Sequence, residues 1–270
     1  MGSERATSPE NKVELVKSLE DLLIIDTVDS EGNLQPTSTT FFLITKDEEI
    51  FYGHTPKNKH ETTIAEYNAA LHRVPDEEMF PKVPTDTQMT IAPELLDESL
   101  IFVKRTALVC HKHAAGSFDI PRALLNETLI MEQISKSPHP NIIRYLGCRV
   151  KRGYITCIIL ERLEHTLHDY VSTPEFQNLD KVMFHESVTS GAEYLHSLGL
   201  AHNDINPNNI MVRGDGSPVL IDFDSCQPHG KILQLLGTQG WCEQLSPTSE
   251  KKHDLFSLNK LKKWLQDPDC

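Results

Sequence analysis

The sequence predicts an α+β protein of two unlike lobes, and three observations lead there. Strand-type patterns dominate before about residue 161 and helical patterns after it, as expected when two layers of different class follow one another. At 270 residues the chain is long for a single core, so two cores flanking a cleft are expected. The hydrophobic fraction of 39% and charged fraction of 24% are those of an ordinary globular protein.

The polar residues 1 to about 11 are expected to be disordered. Residues 12–26 intersperse Val13, Leu15, Val16, Leu19, Leu22 and Leu23 with charges, a pattern that predicts an amphipathic helix running into an apolar segment. Ser30-Glu31-Gly32-Asn33 is turn chemistry. Residues 41–44 and 50–52 predict two strands joined by the turn Lys46-Asp47-Glu48-Glu49. A helix is expected over 60–71. Four prolines at 75, 81, 84 and 93 predict an extended linker over 74–93. Residues 99–105 read as a short buried strand ending in charge, and Asp119-Ile120-Pro121 opens a helix running to about Ser135. His139-Pro140-Asn141 breaks it. Residues 142–149 and 154–161 then read as a hairpin turning at Lys151-Arg152-Gly153. Val188, Ala192 and Leu195 mark a later helix that Gly199 ends.

The formal net charge of −13 argues against a nucleic-acid-binding surface, while leaving room for a locally positive cleft. No apolar run approaches the roughly 18 residues that span a bilayer. The N-terminus lacks the apolar core of a signal peptide, and Gly2 lacks the Ser or Thr at position 6 that myristoylation favours. The six cysteines (110, 148, 157, 226, 242 and 270) form no C-x-x-C pair. Reduced thiols in the cytoplasm or nucleus are the expectation, with no secretion and no membrane span. His111-Lys112-His113 lacks the neighbouring ligands a metal site would need.

The chemistry concentrates in Ala201-His202-Asn203-Asp204-Ile205-Asn206-Pro207-Asn208-Asn209, which runs on through Ile210-Met211-Val212 and a Gly/Asp turn to Val219-Leu220-Ile221-Asp222-Phe223-Asp224. An apolar hairpin over 210–221 carries Asn209 at its beginning and Asp222 at its end, delivering both to one edge. Hard oxygen ligands meeting there suit magnesium, and Asp204 adds an acceptor for a hydroxyl proton.

This order and spacing resemble the catalytic loop (H-R-D-x-x-x-x-N) and metal-binding segment (D-F-G) of eukaryotic-type protein kinases, here as H-N-D-x-N-P-x-N and D-F-D. The likeness covers about residues 99–260 and is similar to a diverged fungal branch of that superfamily. It implies a bilobal protein-kinase-like fold, with a sheet-rich N-lobe, a helical C-lobe that looks truncated at residue 270, and ATP with Mg2+ between them. The implied organisation is a tail with a short helix (1–37), an extension of the N-lobe (38–98), the N-lobe (99–162) and the C-lobe (163–270).

The implied roles follow residue by residue. Asp204 is the catalytic acceptor, and Asn209 and Asp222 hold the metal. Lys104 contacts the phosphates and Glu127 is its partner carboxylate, with Lys112 a rival for the lysine. Leu160 is the residue guarding the back of the adenine pocket, and the backbone of Glu161 and Leu163 meets the adenine edge. Met131, Tyr145, His202 and Phe223 stack between the lobes. Residues 237–241 resemble the peptide-binding segment, and Asp254 braces the catalytic loop.

Three substitutions depart from the family pattern. Asn203 stands for the Arg that answers a phosphorylated loop, Asn206 for a lysine beside the transferring phosphate, and Asp224 for a glycine able to take positive φ. No G-x-G-x-x-G lies upstream of Lys104. If 41–52 were the phosphate-covering hairpin, its acidic tip would repel phosphates. Three readings follow: phosphoryl transfer from ATP to Ser/Thr of an unknown protein substrate, a pseudokinase acting as a scaffold, or a small-molecule kinase.

Overall fold

The computed structural model describes residues 15–27, 38–106, 108, 119–233, 235–242 and 247–268. The chain divides into two compact units, with the boundary between Glu78 and Met79. In the first, β1 (Leu22–Thr27), β2 (Ser38–Ile44), β3 (Ile50–Thr55) and β4 (His72–Arg73) form an antiparallel sheet in the order β1-β2-β3-β4. Helix α1 (Ile64–Ala70) starts at a capping box in which Thr63 and Glu66 satisfy each other's backbone N–H. It buries Tyr67, whose ring meets Phe41 edge-on at 4.7 Å.

The helix predicted over 12–26 is not formed among the described residues. A 3-10 turn at Leu19–Asp21 leads into β1 instead. Leu22 to Ile25 find partners in β2, with Leu22 opposite Leu43 and Ile25 opposite Thr40. A paired strand that buries an apolar face outweighs a weak helical period. The 41–52 hairpin belongs to this sheet, and its tip turns at Glu48, a buried residue at φ 59°.

In the second unit, β5 (Ile101–Lys104), β6 (Tyr145–Lys151) and β7 (Tyr154–Glu161) form a sheet in the order β5-β7-β6. Helix α2 (Ile120–Ser135) packs on it. Asp119 caps this helix by accepting from Arg122 N at 3.0 Å, and Pro121 occupies the first turn, where no N–H is needed. Leu124, Glu127, Met131 and Ile134 form its buried stripe.

The proline-rich run read as a linker includes one helical turn, Asp76–Met79, and then docks along the β6–β7 hairpin. Ala92 N–H donates to Cys148 O at 2.9 Å, Cys148 N–H to Thr90 O at 2.8 Å, and Ile155 N–H to Pro81 O at 2.9 Å. Proline removes a donor but keeps its carbonyl, so an extended segment can still be held as acceptor. Glu132 on α2 clamps the run from the side, accepting from Thr90 N and Oγ1 and from the Tyr145 hydroxyl at 2.6, 2.8 and 2.8 Å. Among the described residues β5 pairs only with β7.

The remainder is mainly helical. Asp180 caps α3 (Lys181–Ser197) through Val182 N and Met183 N, and Gly199 at φ 78° ends it. Short strands flank it: β8 (His165–Thr166) before, and β9 (Leu200–Ala201), β10 (Ile210–Val212), β11 (Pro218–Leu220) and β12 (Gln227–Pro228) after, paired as β11-β10-β8 and β12-β9. Helix α4 (Lys251–Trp264) closes the unit. The strand expected from residue 142 begins at Tyr145. Ile142 instead bridges to Leu220, and Ile143 N–H donates to Leu220 O at 3.0 Å. That exchange ties the sheet-rich lobe to the hairpin that carries the site. The observed class is the α+β class expected, with a sheet-rich first lobe and a helical second one. No helix among the described residues is long and apolar enough to cross a membrane.

Gly147 tests the docking of the proline-rich run. It sits at φ 122°, where a Cβ would meet Thr90 O at 2.6 Å and Ala92 N at 2.7 Å. Gly147→Ala is expected to cost about 2–4 kcal/mol in urea unfolding, and a loss below about 0.5 kcal/mol would mean that the run is not held there.

Candidate functional site

The site is built on a buried carboxylate. Asp254, on the first turn of α4 and fully buried, accepts from His202 N at 2.9 Å and Asn203 N at 2.8 Å, with His196 Nε2 2.8 Å from its second oxygen. These contacts fix the start of the loop, which Asn203 enters at φ 63°. The Asn203 side chain is buried and fully engaged. Its Nδ2 donates to Ala201 O, Ser225 O and Ser249 Oγ at 2.8, 3.0 and 3.0 Å, and His253 Nδ1 lies 3.0 Å from its Oδ1. It therefore faces inward as a knot between three segments.

Asp204 follows at the mouth of the loop. Its Oδ1 accepts from Thr238 N at 2.7 Å and Asn206 Nδ2 at 3.1 Å, and its Oδ2 from Asn209 Nδ2 at 2.9 Å. An ionised carboxylate has about four acceptor positions, so one remains on Oδ2. Asn206 also reaches Thr238 Oγ1 at 3.1 Å, spending on local bonds the position read as a lost cation. Gly237 is required here because a Cβ would lie 2.6 Å from Asn203 O.

The hairpin brings Asn209 and Asp222 together, since Ile221 N–H donates to Asn209 O at 3.0 Å. Opposite them, Lys104 at the end of β5 meets Glu127 of α2 at 2.5 Å, Asp222 at 2.8 Å and Asp224 at 3.0 Å. Phe223 N–H donates to Glu127 Oε1 at 3.2 Å and the Phe223 ring lies 5.1 Å from His202. Burial alone would lower the Lys104 pKa, but Glu127, Asp222 and Asp224 together raise it, so the ammonium stays charged. Burial pushes Glu127 upward against the pull of Lys104. Partial desolvation pushes the half-exposed Asp224 upward, but Lys104 and Glu127 outweigh it and hold its carboxyl below the ordinary value.

The positive φ in this segment falls on Asp222, at 62°, and Asp224 takes none. The glycine's access to positive φ is thus not used at position 224, and Asp224 acts through its side chain.

Met131, Tyr145, His202 and Phe223 are all buried. A cavity of about 270 Å3 is lined by the apolar Phe102, Ile143, Leu160, Leu163, Met211 and Ile221 together with the charged Lys104, Glu161 and Asp222. A mainly apolar slot that also presents a cation and carboxylates suits a flat aromatic group bearing phosphates. Oxygens of Glu127, Asp222 and Asp224 lie within 4.8 Å of one another. The Asn209 amide nitrogen is used on Asp204, leaving its oxygen for a cation. This all-oxygen donor set suits magnesium.

Several contacts escaped the sequence. Arg213, in the β10–β11 turn, grips Glu161 with two bonds of 2.8 Å, and the only hint was an arginine beside a Gly-Asp-Gly turn. The Thr238 cap on Asp204 had a partial signal in Gly237. Lys112, the rival lysine, and His111 and His113 lie outside the described residues.

A model of the protein kinase domain matches residues 98–259. Human serine/threonine-protein kinase/endoribonuclease IRE2 is 33% identical over 117 residues, covering 38% of this chain and 12% of that protein. Hypocrea jecorina serine/threonine-protein kinase/endoribonuclease IRE1 is 38% identical over 124 residues, covering 38% of this chain and 10% of that protein. Candida albicans serine/threonine-protein kinase CST20 is 28% identical over 123 residues, covering 44% and 10%. The chain thus spans about a tenth of the length of these relatives.

Two substitutions test the scaffold. Asp254→Ala strands buried amides and is expected to cost about 3–5 kcal/mol in denaturant unfolding; a loss under about 1 kcal/mol would remove Asp254 from its bracing role. Glu161 is raised by burial, but Arg213 and the Arg144 amide outweigh that and hold its pKa below the ordinary value. Its contribution is therefore complete above the ordinary carboxylate pKa and is lost as pH falls through the lowered one. Glu161→Gln should cost about 1 kcal/mol near pH 7, with the gap to wild type closing in acid. A gap independent of pH would contradict the Arg213 ion pair.

Proposed function

We propose, from the premise that the chain belongs to the protein kinase family, that its cleft transfers the γ-phosphate of ATP to a Ser or Thr hydroxyl of a protein. The observation that carries this reading is that Lys104, bonded to both Glu127 and Asp222, lines a mainly apolar cavity together with Asp222. Names of similar proteins, which call them serine/threonine-protein kinases, point to the same acceptor class.

In this reading the cavity between Leu160 and Met211 takes the adenine, whose polar edge meets the backbone of Glu161 and Leu163. Glu127 holds the Lys104 ammonium in place, so its charge lies over the phosphates and not in solvent. Asp222 and Asn209 hold magnesium, which when bound neutralises charge on the β- and γ-phosphates. Asp204 orients the acceptor hydroxyl through its remaining Oδ2 position and accepts the proton as the new bond forms. Thr238 N–H and the Asn206 and Asn209 amides fix that carboxylate, so orientation comes from three neutral donors without a lysine beside the phosphate. Slower transfer than with such a lysine follows, by about 10²–10³ if the lost donor is like others aimed at developing charge.

A second reading, a pseudokinase that binds nucleotide and scaffolds a partner, is favoured by two observations. Residues 79–100 form no strand pair over β5, and the position of the family lysine is taken by Asn206.

Purified chain incubated with labelled ATP, magnesium and a generic protein substrate separates the two. Phosphate incorporation that drops by about 10²–10⁴ in Asp204→Asn is the expected result. Incorporation equal to that of Asp204→Asn sinks the transferase reading. In that event a melting shift of several degrees with Mg-ATP, lost in Asp222→Ala, would establish the pseudokinase.

A further inference from the structure

Lys104 carries three N–H donors and no more. Each has a carboxylate acceptor: Glu127 at 2.5 Å, Asp222 at 2.8 Å and Asp224 at 3.0 Å. The first two are the contacts that define the site. The third comes from a residue 120 positions away in sequence, on a backbone that needs no glycine. With Asp224 in place no donor is left to meet a phosphate oxygen.

We propose that Asp224 occupies the hydrogen-bonding position on Lys104 that a nucleotide phosphate must take, making nucleotide binding conditional on a divalent cation. The inference rests on the nucleotide-site reading above. Asp224 presents an anionic oxygen where a phosphate oxygen would have to sit, so it competes with the ligand both for the donor and by charge. A free nucleotide phosphate has to displace a carboxylate already bonded within the protein, and gains little by the exchange. A cation changes the balance from the other side. Asp222 and Asp224 offer oxygens within 4.8 Å of one another and of Glu127, and these atoms prefer a divalent ion to a shared ammonium. Drawing Asp222 and Asp224 to the ion releases two Lys104 donors for the phosphates, while Glu127 keeps the third and maintains the lysine's position. Asp224 is thus a specificity-determining residue: it selects metal-bound nucleotide over free nucleotide.

The side chain of Asp224 is 39% exposed, so its removal leaves no buried cavity, and its backbone conformation is open to any residue. Asp224→Gly and Asp224→Ala both delete the acceptor, the second without adding chain freedom. Calorimetric titration of the full chain with ATP, once in EDTA and once in excess magnesium, reads the effect directly. Wild type should bind ATP in EDTA at least about tenfold more weakly than Mg-ATP. Both variants should gain about tenfold in EDTA, the factor expected for freeing one charged donor, and so narrow the gap. Equal wild-type affinities in the two buffers, or variants that keep the wild-type gap, overturn the inference while leaving the nucleotide site intact. Absence of Mg-ATP binding by wild type and both variants, each with an intact circular-dichroism melting transition, overturns the nucleotide reading and this inference together.

Discussion

The buried carboxylate of Asp254 is the constraint from which the site descends. Three donors converge on it, two of them the backbone amides of His202 and Asn203. Those amides sit at the left-handed turn of Asn203, a conformation that costs of order 1 kcal/mol or more for a residue other than glycine. It persists because Asn203 is bonded on both ends of its amide, to Ala201, Ser225, Ser249 and His253. Everything downstream is set by that geometry: Asp204 at the loop mouth, the Asn206 and Asn209 amides beside it, and the hairpin that returns Asp222.

How much of this could be read from the chain depended on the range of the interaction. The spacing of Asp204, Asn209 and Asp222 identified their hairpin, because five residues of loop and one tight turn leave little freedom. The pairing of Lys104 with Glu127 is what the kinase resemblance implies, the apolar strand before Lys104 favouring it over Lys112, and the two meet at 2.5 Å. Asp224 was read only as a lost glycine, since nothing local says that an ammonium 120 residues earlier lies 3.0 Å away. Arg213 and Thr238 were missed for the same reason: each acts on a residue more than 30 positions distant. At the N-terminus the ambiguity is of another kind. Residues 22–25 fit a helix and a strand about equally, and the partner at 40–43 decided the matter. The prolines of the 74–93 run remove donors there, yet its carbonyls at Pro81 and Thr90 and its amides at Val83 and Ala92 hold it to the β6–β7 hairpin.

The lysine end of the cleft and the aspartate end are held by opposite means. At Lys104 one cation faces three carboxylates, so burial and charge work against each other and the ammonium is fixed by its acceptors. At Asp204 one anion faces three neutral donors, with no cation within ion-pair distance among the described residues. Neutral donors are individually weaker than a lysine, but they lose less conformational entropy when they are fixed in a packed loop. Both ends are therefore rigid: a charged ammonium is fixed by carboxylates at Lys104, and a carboxylate is fixed by neutral donors at Asp204.

The three departures from the family pattern then amount to one physical change. An arginine, a lysine and a glycine act by reach or by freedom: two long cations that can swing, and one residue that can rotate. Asn203, Asn206 and Asp224 are short, and each directs its polar atoms to fixed partners within the unit. A site built this way costs little to hold in shape, because its polar groups are satisfied before any ligand arrives. The same satisfaction raises the cost of admitting a ligand, since an incoming phosphate must break an existing bond to make a new one. The loop thus keeps the acceptors and metal-type oxygens of its family while losing its adjustable cations. What discriminates between ligands is which of them can compensate for the bond it breaks, and a divalent ion with carboxylates on either side of it does that better than an anion alone.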